Sequence, residues 1–206
     1  MASFLTENKR SHYCAELRKD HVGQTVVLLG WVQIRRVLGG RIFIDLRDRT
    51  GLLQIVFGMD LNASAYADAE KLSREFCIGV RGTVKLRKDS GGKPNPDLPT
   101  GEIEVEATEL TIFSSAETPP FLIEDEIDTR EELRLKHRYL DLRRPVLQKN
   151  LMKRSQLYRA ARGYLHDNGF LEMETPFMVK YTPGGARNFL VPSRQNAGKF
   201  YALAES

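Results

Sequence analysis

The sequence predicts an α+β protein whose N-terminal half is a small closed β-barrel, and two observations support this fold class. Apolar and polar residues alternate through residues 25–57, and glycine-bearing turns at 38–40 and 49–51 divide this stretch into three strands. After a helical segment, the alternation resumes at residues 77–87 and 102–113. Successive side chains of a strand point to opposite faces, so each strand can supply one face to a core.

The alternation divides the second and third strands into a core face and an outer face. The predicted core residues are Ile42, Ile44, Leu46, Leu53, Ile55 and Phe57. The outer set is Arg41, Phe43, Asp45, Arg47, Leu52, Gln54 and Val56. An outward aromatic ring among arginines suits single-stranded nucleic acid, because the ring can stack on a base while cations meet phosphates and an amide reads a base edge. The alternative is an ordinary sheet with one surface phenylalanine.

Two short helices are predicted around these strands. Residues 14–19 are expected to form a helix that leads into or plugs the barrel. After the third strand, Asn62 is a suitable N-cap residue, and Ala65, Ala69 and Leu72 recur at helical spacing. The second helix is therefore expected to pack an apolar stripe against the barrel.

The last two strands complete the barrel. Gly79 and Gly82 are predicted to be kinks or bulges in the fourth strand, and residues 88–101 form a loop rich in Gly, Pro, Asn and Asp. In the fifth strand, Ile103 faces the core and Glu104 faces outward. Three strands, a helix and two strands is the order of the OB-fold, a five-stranded Greek-key barrel whose second and third strands bind oligonucleotides. Another small barrel with the same strand count is the alternative.

Composition and charge indicate a globular chain. Of 206 residues, 41% are hydrophobic and 28% are charged, and the net charge of +4 is consistent with a polyanionic partner. Cys14 and Cys77 have no metal-site or disulfide spacing, and the four histidines show no ligand spacing, so no metal site is predicted. With no signal peptide or long apolar run in the sequence, a cytoplasmic location without membrane contact is expected.

A change of composition predicts two domains joined by a linker. Residues 1–113 form the barrel domain, residues 114–130 a hinge, and residues 131–206 the second domain. The hinge contains Pro119-Pro120 and an acidic run, which together predict an extended, solvated segment.

An amphipathic helix dominates the predicted second domain. It follows Pro145, which is expected to interrupt the preceding segment, and it ends at Gly169. Residues 171–180 are interpreted as two strands separated by Pro176, and residues 199–203 as a terminal apolar strand. The apolar stripe of the helix consists of Leu151, Leu157, Ala161 and Leu165.

Seven strings in order resemble the N-terminal part of bacterial-type, class II aspartyl-tRNA synthetases. They are HYCAELRKDHVGQTV, GWVQIRR, IFIDLRDRTGLLQIVF, LPTGEIEV, LRLKHRYLDLRRP, GFLEMETP and TPGGARNFLVPSR. GFLEMETP is shared with lysyl- and asparaginyl-type relatives, whereas LPTGEIEV and TPGGARNFLVPSR are more specific to the aspartyl type. The resemblance implies an OB-fold anticodon-binding domain followed by the incomplete start of a class II antiparallel α/β catalytic domain.

The resemblance also implies which residues meet the anticodon loop of tRNA(Asp). Four positions of this sequence match the family's anticodon contacts. Arg36 matches the arginine that ends GWVQIRR, Phe43 matches the stacking aromatic residue, and Gln54 and Glu104 match the residues that read bases. Arg35 and Arg47 are predicted to be two further cations of the anticodon-binding site.

In the second domain, GFLEMETP resembles motif 1 of class II synthetases, which implies a homodimer interface with Pro176 as its fixed residue. TPGGARNFLVPSR resembles the loop that closes over the amino acid. The family has a glutamate that contacts aspartate where this chain has Gly184, and an aspartate where it has Asn188. The glycine removes a side chain that would hold the substrate ammonium.

The family activity is ATP-dependent ligation of aspartate to tRNA, with ATP and Mg²⁺ as implied cofactors. The arginines of motifs 2 and 3, which grip ATP in the family, do not lie within the 206 residues. No catalytic residue is therefore predicted here, and this chain alone is expected to be inactive and not to bind ATP and Mg²⁺. The alternatives are a catalytically inactive module that binds tRNA or single-stranded nucleic acid, and a remnant in which only the barrel is stable.

Overall fold

A computed structural model describes residues 4, 7–87, 94–96, 98–180 and 187–204. The chain divides into two compact units, residues 1–122 and 123–206. The division falls inside the predicted hinge at residues 114–130.

The first unit is a closed five-stranded barrel with the strand order β1-β2-β3-β5-β4. β1 is long enough to pair antiparallel with β2 through one part of its length and with β4 through the other. A short parallel pairing between β3 and β5 closes the barrel. The predicted OB-fold is confirmed. Its elements are β1 (Thr25–Leu38), β2 (Arg41–Arg47), β3 (Leu52–Gly58), α1 (Ala63–Ala69), β4 (Cys77–Leu86) and β5 (Ile103–Ser114).

The barrel core contains the residues that the alternation predicts, but Val56, which the alternation places in the outer set, is also buried, at 1% exposed. All six predicted core residues of β2 and β3 are fully buried. The predicted stripe on the α1 side, Ala65, Ala69 and Leu72, packs into the same cluster. The Asn62 side chain caps α1 by accepting a hydrogen bond from the Ala65 backbone N–H at 2.9 Å.

A bulge was predicted in β4 at Gly82, but the extra residue of the bulge opposite Gly82 is Thr108 of β5, because Arg81 pairs with Glu109 and Gly82 with Ala107. The register between β4 and β5 shifts between Arg81 and Gly82. A Cβ atom at Gly82 would collide with the Glu106 carbonyl oxygen, so only glycine allows this close approach. At Gly79 a Cβ would meet the Phe113 ring at 2.7 Å.

The predicted helix at residues 14–19 is wrong. Two 3₁₀ turns form instead, Cys14–Glu16 and Lys19–His21. Leu17 between them is extended and fully buried, because its side chain joins the barrel core and pulls the chain out of helical geometry.

Asp48 ties this N-terminal segment to the turn between β2 and β3. Its carboxylate accepts hydrogen bonds from the backbone N–H of Cys14 at 2.7 Å and of Thr50 at 2.7 Å, and from Thr50 Oγ1 at 2.6 Å. Burial raises the pKa of Asp48, but the hydrogen bonds outweigh burial, so the pKa lies below its ordinary value. Burial, assisted by the Asp48 charge, raises the pKa of the Cys14 thiol.

We expect Asp48→Asn to lower the free energy of unfolding at neutral pH by about 1–3 kcal/mol, because buried donors lose a charged acceptor. A carboxyl whose folded pKa is depressed stabilises fully above its unfolded pKa of about 3.9, and this contribution is lost as pH falls through the folded pKa. Urea unfolding at several pH values should therefore show the two proteins converging in acid. The control is Asp68→Asn, which removes only the exposed pair with Lys71. A stability difference that does not change with pH would contradict this role.

In the residues that the structure describes, the second unit contains three helices and a small antiparallel sheet with the order β6-β8-β7. The terminal apolar strand is confirmed, because β8 lies in the centre of this sheet. The elements are α2 (Glu131–Lys136), α3 (Arg138–Asp141), α4 (Pro145–Asp167), β6 (Met178–Val179), β7 (Leu190–Pro192) and β8 (Phe200–Leu203).

Two details of the second unit differ from the prediction. Pro145 begins α4 and does not interrupt a segment, because proline lacks an N–H group and suits the first helical turn. Residues 171–176 form no strand, since they pair with no strand of the described chain, and only Met178–Val179 after Pro176 joins the sheet. Gly169, with φ of +84°, ends α4 as predicted.

Part of the predicted hinge is anchored. Arg144 is buried and donates hydrogen bonds to the carbonyl oxygens of Glu124 and Asp125, both at 2.8 Å. It also donates to the buried carboxylate of Asp141 at 3.1 Å. Ile123 is buried as well, so this end of the hinge is held within the second unit.

Candidate nucleic-acid interface

The outer face of the barrel brings the predicted site residues of three strands together. In the antiparallel register, Asp45 of β2 lies between Ile34 of β1 and Gln54 of β3. In the next row, Phe43 lies between Arg36 and Val56. Arg36 can therefore reach diagonally across β2 towards Asp45 and Gln54.

Four side chains form a hydrogen-bonded row on this face, which we call the polar row: Arg36, Asp45, Gln54 and Glu104. Arg36 Nη1 and Nη2 donate to the two carboxylate oxygens of Asp45, both at 2.7 Å. Arg36 Nη2 also lies 3.4 Å from Gln54 Oε1, and Gln54 Nε2 donates to Glu104 Oε2 at 2.9 Å. The row thus links four strands.

The polar row is less exposed than the alternation suggests. Gln54 is 1% exposed, Glu104 4% and Asp45 6%. Their polar ends bond to side chains of neighbouring strands, so they point along the sheet and not away from it. Gln54 and Glu104 thus lie on the predicted outer face, but they are buried within it by hydrogen bonds to neighbouring side chains.

The accessible groups on this face include one ring and the cation beside it. Phe43 is partly exposed and lies outside the core cluster. The Arg36 side chain is 45% exposed despite its ion pair. Arg35 is exposed as well, but it lies opposite the core residue Ile44 in the register, so its side chain leaves β1 on the other side from Phe43. A flat ring beside positive charge is the arrangement that stacks unpaired bases.

Arg47 is held differently from the other predicted cations. Its guanidinium forms a bidentate ion pair with Glu75 at 2.8 and 2.7 Å, and it also contacts Gln33 Oε1. The two charged side chains are only 13% and 10% exposed. A phosphate contact would have to compete with this pair, and the role of Arg47 at the interface stays a prediction.

Asp45 and Glu75 are the partners that sequence reasoning missed. Asp45 belongs to the predicted outer set, two residues after Phe43. A carboxylate on a face that binds phosphates is unfavourable unless a nearby cation neutralises it. The presence of Asp45 among the outer residues could therefore have indicated an ion pair with a neighbouring arginine. Glu75 comes from the segment between α1 and β4, and no pattern in the sequence connects it with Arg47.

The second unit exposes an apolar face. α4 has no buried residue, and Pro176 is exposed. An open groove of about 730 Å³ lies between α4 and the segment that follows it. Its lining includes Tyr158, Leu165, Phe170 and Leu171. Gly184 lies outside the described residues, and the nearby Asn188 donates to the Leu203 carbonyl oxygen at 3.3 Å.

Within the described ranges, no group of three or more His, Cys, Asp or Glu side chains is placed to hold a metal ion. The helices of the described chain include none with the length and apolarity needed to cross a membrane.

Comparisons with known proteins agree with both units. Residues 26–113 match the family described as "OB-fold nucleic acid binding domain", and residues 130–206 match "tRNA synthetases class II (D, K and N)". The asparaginyl-tRNA synthetase from Pyrococcus horikoshii complexed with asparaginyl-adenylate is similar in structure, with a TM-score of 0.78 and 28% identity. The match covers 96% of this chain and 43% of that one.

Bacterial relatives are closer in sequence. The "Aspartate--tRNA(Asp/Asn) ligase" of Anaeromyxobacter dehalogenans (strain 2CP-C) is 60% identical over all 206 residues of this chain and 34% of its own length. The protein of the same name from Anoxybacillus flavithermus is 55% identical over 96% of this chain and 33% of its own length. The chain spans about a third of the length of these relatives. With both units matched and these identities, the chain belongs to the class II aspartyl-tRNA synthetase family.

Proposed function

We propose that this chain recognises the anticodon loop of tRNA for an ATP-dependent aspartate–tRNA ligase. The observation that supports this most directly is the outer face of the barrel, where Phe43 and the half-exposed Arg36 lie at the accessible end of the polar row. This face belongs to the second and third strands of an OB-fold and their neighbours, which is where such barrels hold oligonucleotides.

Each group on this face has a chemical task. Phe43 stacks on an unpaired anticodon base, the exposed Arg35 attracts phosphates from the neighbouring side of β1, and Arg36, paired with Asp45, supplies a hydrogen-bond donor beside the ring. Gln54 can both donate to and accept from a base edge, whereas the Glu104 carboxylate can only accept, so it selects a base with an amino or imino donor. Both side chains are bonded within the polar row, so a base that reads them replaces existing partners. Arg47 is proposed as a further cation of the site, subject to its competing pair with Glu75.

The activity of the whole protein is proposed from its relatives. Proteins that share half or more of this sequence are named as ligases of aspartate to tRNA(Asp/Asn), so we propose aspartylation with ATP and Mg²⁺ in the cytoplasm. The barrel domain, residues 1–113, supplies anticodon recognition. Residues 114–130 are the connection, and residues 131–206 begin the catalytic domain, with Gly184 in its substrate loop.

We propose that the second unit forms a homodimer contact through motif 1, with Pro176 at the interface. The support is the exposed apolar stripe of α4, in which Leu151, Leu157 and Leu165 are about half exposed or more. Such a stripe is stabilised when a partner surface covers it.

The test of the proposed function is binding to the anticodon stem-loop of aspartate tRNA. We expect micromolar or weaker affinity that falls with salt, because phosphate contacts release counterions. Phe43→Ala should weaken binding by about 1–3 kcal/mol, because stacking is lost. Fluorescence anisotropy at several salt concentrations measures both effects.

Phe43→Leu is the matched control, because it keeps apolar volume but has no flat ring. We expect it to bind nearly as weakly as Phe43→Ala. Unchanged affinity in Phe43→Ala would remove Phe43 from the site. The stem-loop of asparagine tRNA, tested in parallel, shows whether this chain accepts both tRNAs that its relatives' name includes.

A further inference from the structure

The polar row contains an ion pair that determines how its arginine can be used. Asp45 is almost completely buried, and both of its oxygens accept from Arg36 at 2.7 Å. Two parallel bonds fix the plane of a guanidinium as well as its position. The Arg36 side chain remains 45% exposed, so it is held against the sheet at the edge of the accessible face.

The same pair orients the next group along the row. Arginine has only donors and a carboxylate has only acceptors. Between Arg36 and Glu104, the Gln54 amide therefore has one favourable orientation, with Oε1 towards Arg36 and Nε2 towards Glu104. The 2.9 Å bond to Glu104 contributes most to this orientation, and the longer 3.4 Å contact with Arg36 agrees with it.

We propose that Asp45 is a positioning residue of the anticodon site: it holds Arg36 on the polar row as a directional donor and keeps its charge away from the RNA phosphates. This inference rests on the proposed function. A free guanidinium would bind any phosphate and add affinity without sequence information. A paired guanidinium adds little such affinity and preserves the orientation of the groups that read a base. Asp45 thereby raises selectivity among anticodon loops.

The test is Asp45→Asn in the 206-residue chain. The probes are the anticodon stem-loop of aspartate tRNA and three versions of it, each with one anticodon base changed. We expect the ratio of cognate to changed-loop affinity to fall about tenfold, a typical effect of losing one bidentate recognition pair. The slope of log affinity against log salt should steepen by about 0.7, because Arg36 becomes free to neutralise one more phosphate.

Two further proteins separate positioning from folding. Glu109→Gln removes a carboxylate from another arginine pair of the barrel, the exposed contact with Arg81 at 3.3 Å, and should change neither the affinity ratio nor the slope. In an Arg36→Met background, Asp45→Asn should cause no further loss of selectivity, because its effect passes through Arg36. The affinities are corrected for the folded fraction, because Arg36→Met by itself leaves the buried Asp45 carboxylate without its cation, whereas the double variant leaves no unpaired charge.

The outcomes distinguish this inference from the proposed function. Equal weakening of all four loops with an unchanged salt slope would show that Asp45 is merely structural. Further loss of selectivity in the Arg36→Met background would show that Asp45 does not act through Arg36. A wild-type chain that binds all four loops equally would instead overturn the proposed function, and with it the role of Asp45.

Discussion

Arg47→Met is expected to lower the free energy of unfolding of the barrel by about 3–5 kcal/mol, because it leaves a largely buried carboxylate without its cation. The carboxylate is that of Glu75, which Arg47 holds through two short hydrogen bonds. Glu75 has a φ of +63°, a left-handed conformation that few residues adopt, so the pair also holds an unfavourable backbone in place. Urea denaturation followed by circular dichroism measures the loss.

The double variant Arg47→Met/Glu75→Gln tests whether the loss comes from an unpaired charge. We expect it to recover most of the stability, because neither buried charge then remains. Its affinity for the anticodon stem-loop tests the predicted RNA contact of Arg47. A stable double variant that binds RNA as the wild type does would assign Arg47 to the barrel alone. A loss below about 1 kcal/mol in the single variant, the size typical of a surface pair, would contradict the proposed importance of the ion pair.

Phe57→Ala is expected to lower the stability of the barrel, whereas Phe43→Ala is expected to weaken RNA binding, although the two phenylalanines lie on paired strands of one sheet. Phe57 is fully buried in the core cluster, and its truncation should cost about 3–5 kcal/mol of folding free energy through lost transfer energy and a cavity. Phe43 is partly exposed and outside that cluster, so its truncation should cost below about 1 kcal/mol of stability and act on RNA binding.

Each variant serves as the control for the other. Thermal unfolding and stem-loop affinity are measured on both, with affinity corrected for the folded fraction. We expect folded Phe57→Ala to bind RNA normally and Phe43→Ala to unfold like the wild type. Comparable destabilisation by the two substitutions would mean that Phe43 is a core residue and that the anticodon assignment is wrong.

The barrel was predictable because its elements depend on local patterns. A period of two places Ile42, Ile44 and Leu46 on one face whatever the rest of the chain does. The Asn62 cap depends on neighbours within one turn of α1. The terminal strand at residues 199–203 also followed from local composition.

The second unit shows where local patterns misled. Pro145 stands between a basic segment and an amphipathic one, and either a break or a helix start was compatible with it. Residues 171–176 have strand-like composition, but a strand also needs a partner, and pairing is not a local property.

In the first unit, the prediction of a helix at residues 14–19 was wrong for a similar reason. Burial of the Leu17 side chain in the barrel outweighed the helix propensity of this segment.

The sequence predicted which residues lie on the face of the candidate site, but it did not predict the hydrogen bonds and ion pairs among them. Alternation and family resemblance both placed Phe43, Gln54 and Glu104 on one outer face, and they lie there. The partner of Arg36 was not predicted, because its ion pair depends on the twist and register that bring β1 diagonally over Asp45.

The alternation of the sequence by itself predicted the core faces of β2 and β3 and the order of strands along the chain, and it indicated one outer face as a candidate nucleic-acid surface. The exposure of each polar group on that surface required the folded chain. Gln54 and Glu104 are 50 residues apart and meet only when the barrel closes, and Arg47 meets Glu75 across 28 residues. Hydrogen bonds between such distant groups bury side chains that the alternation places outside, because the free energy of a polar group depends on its partners and not on its position along the strand.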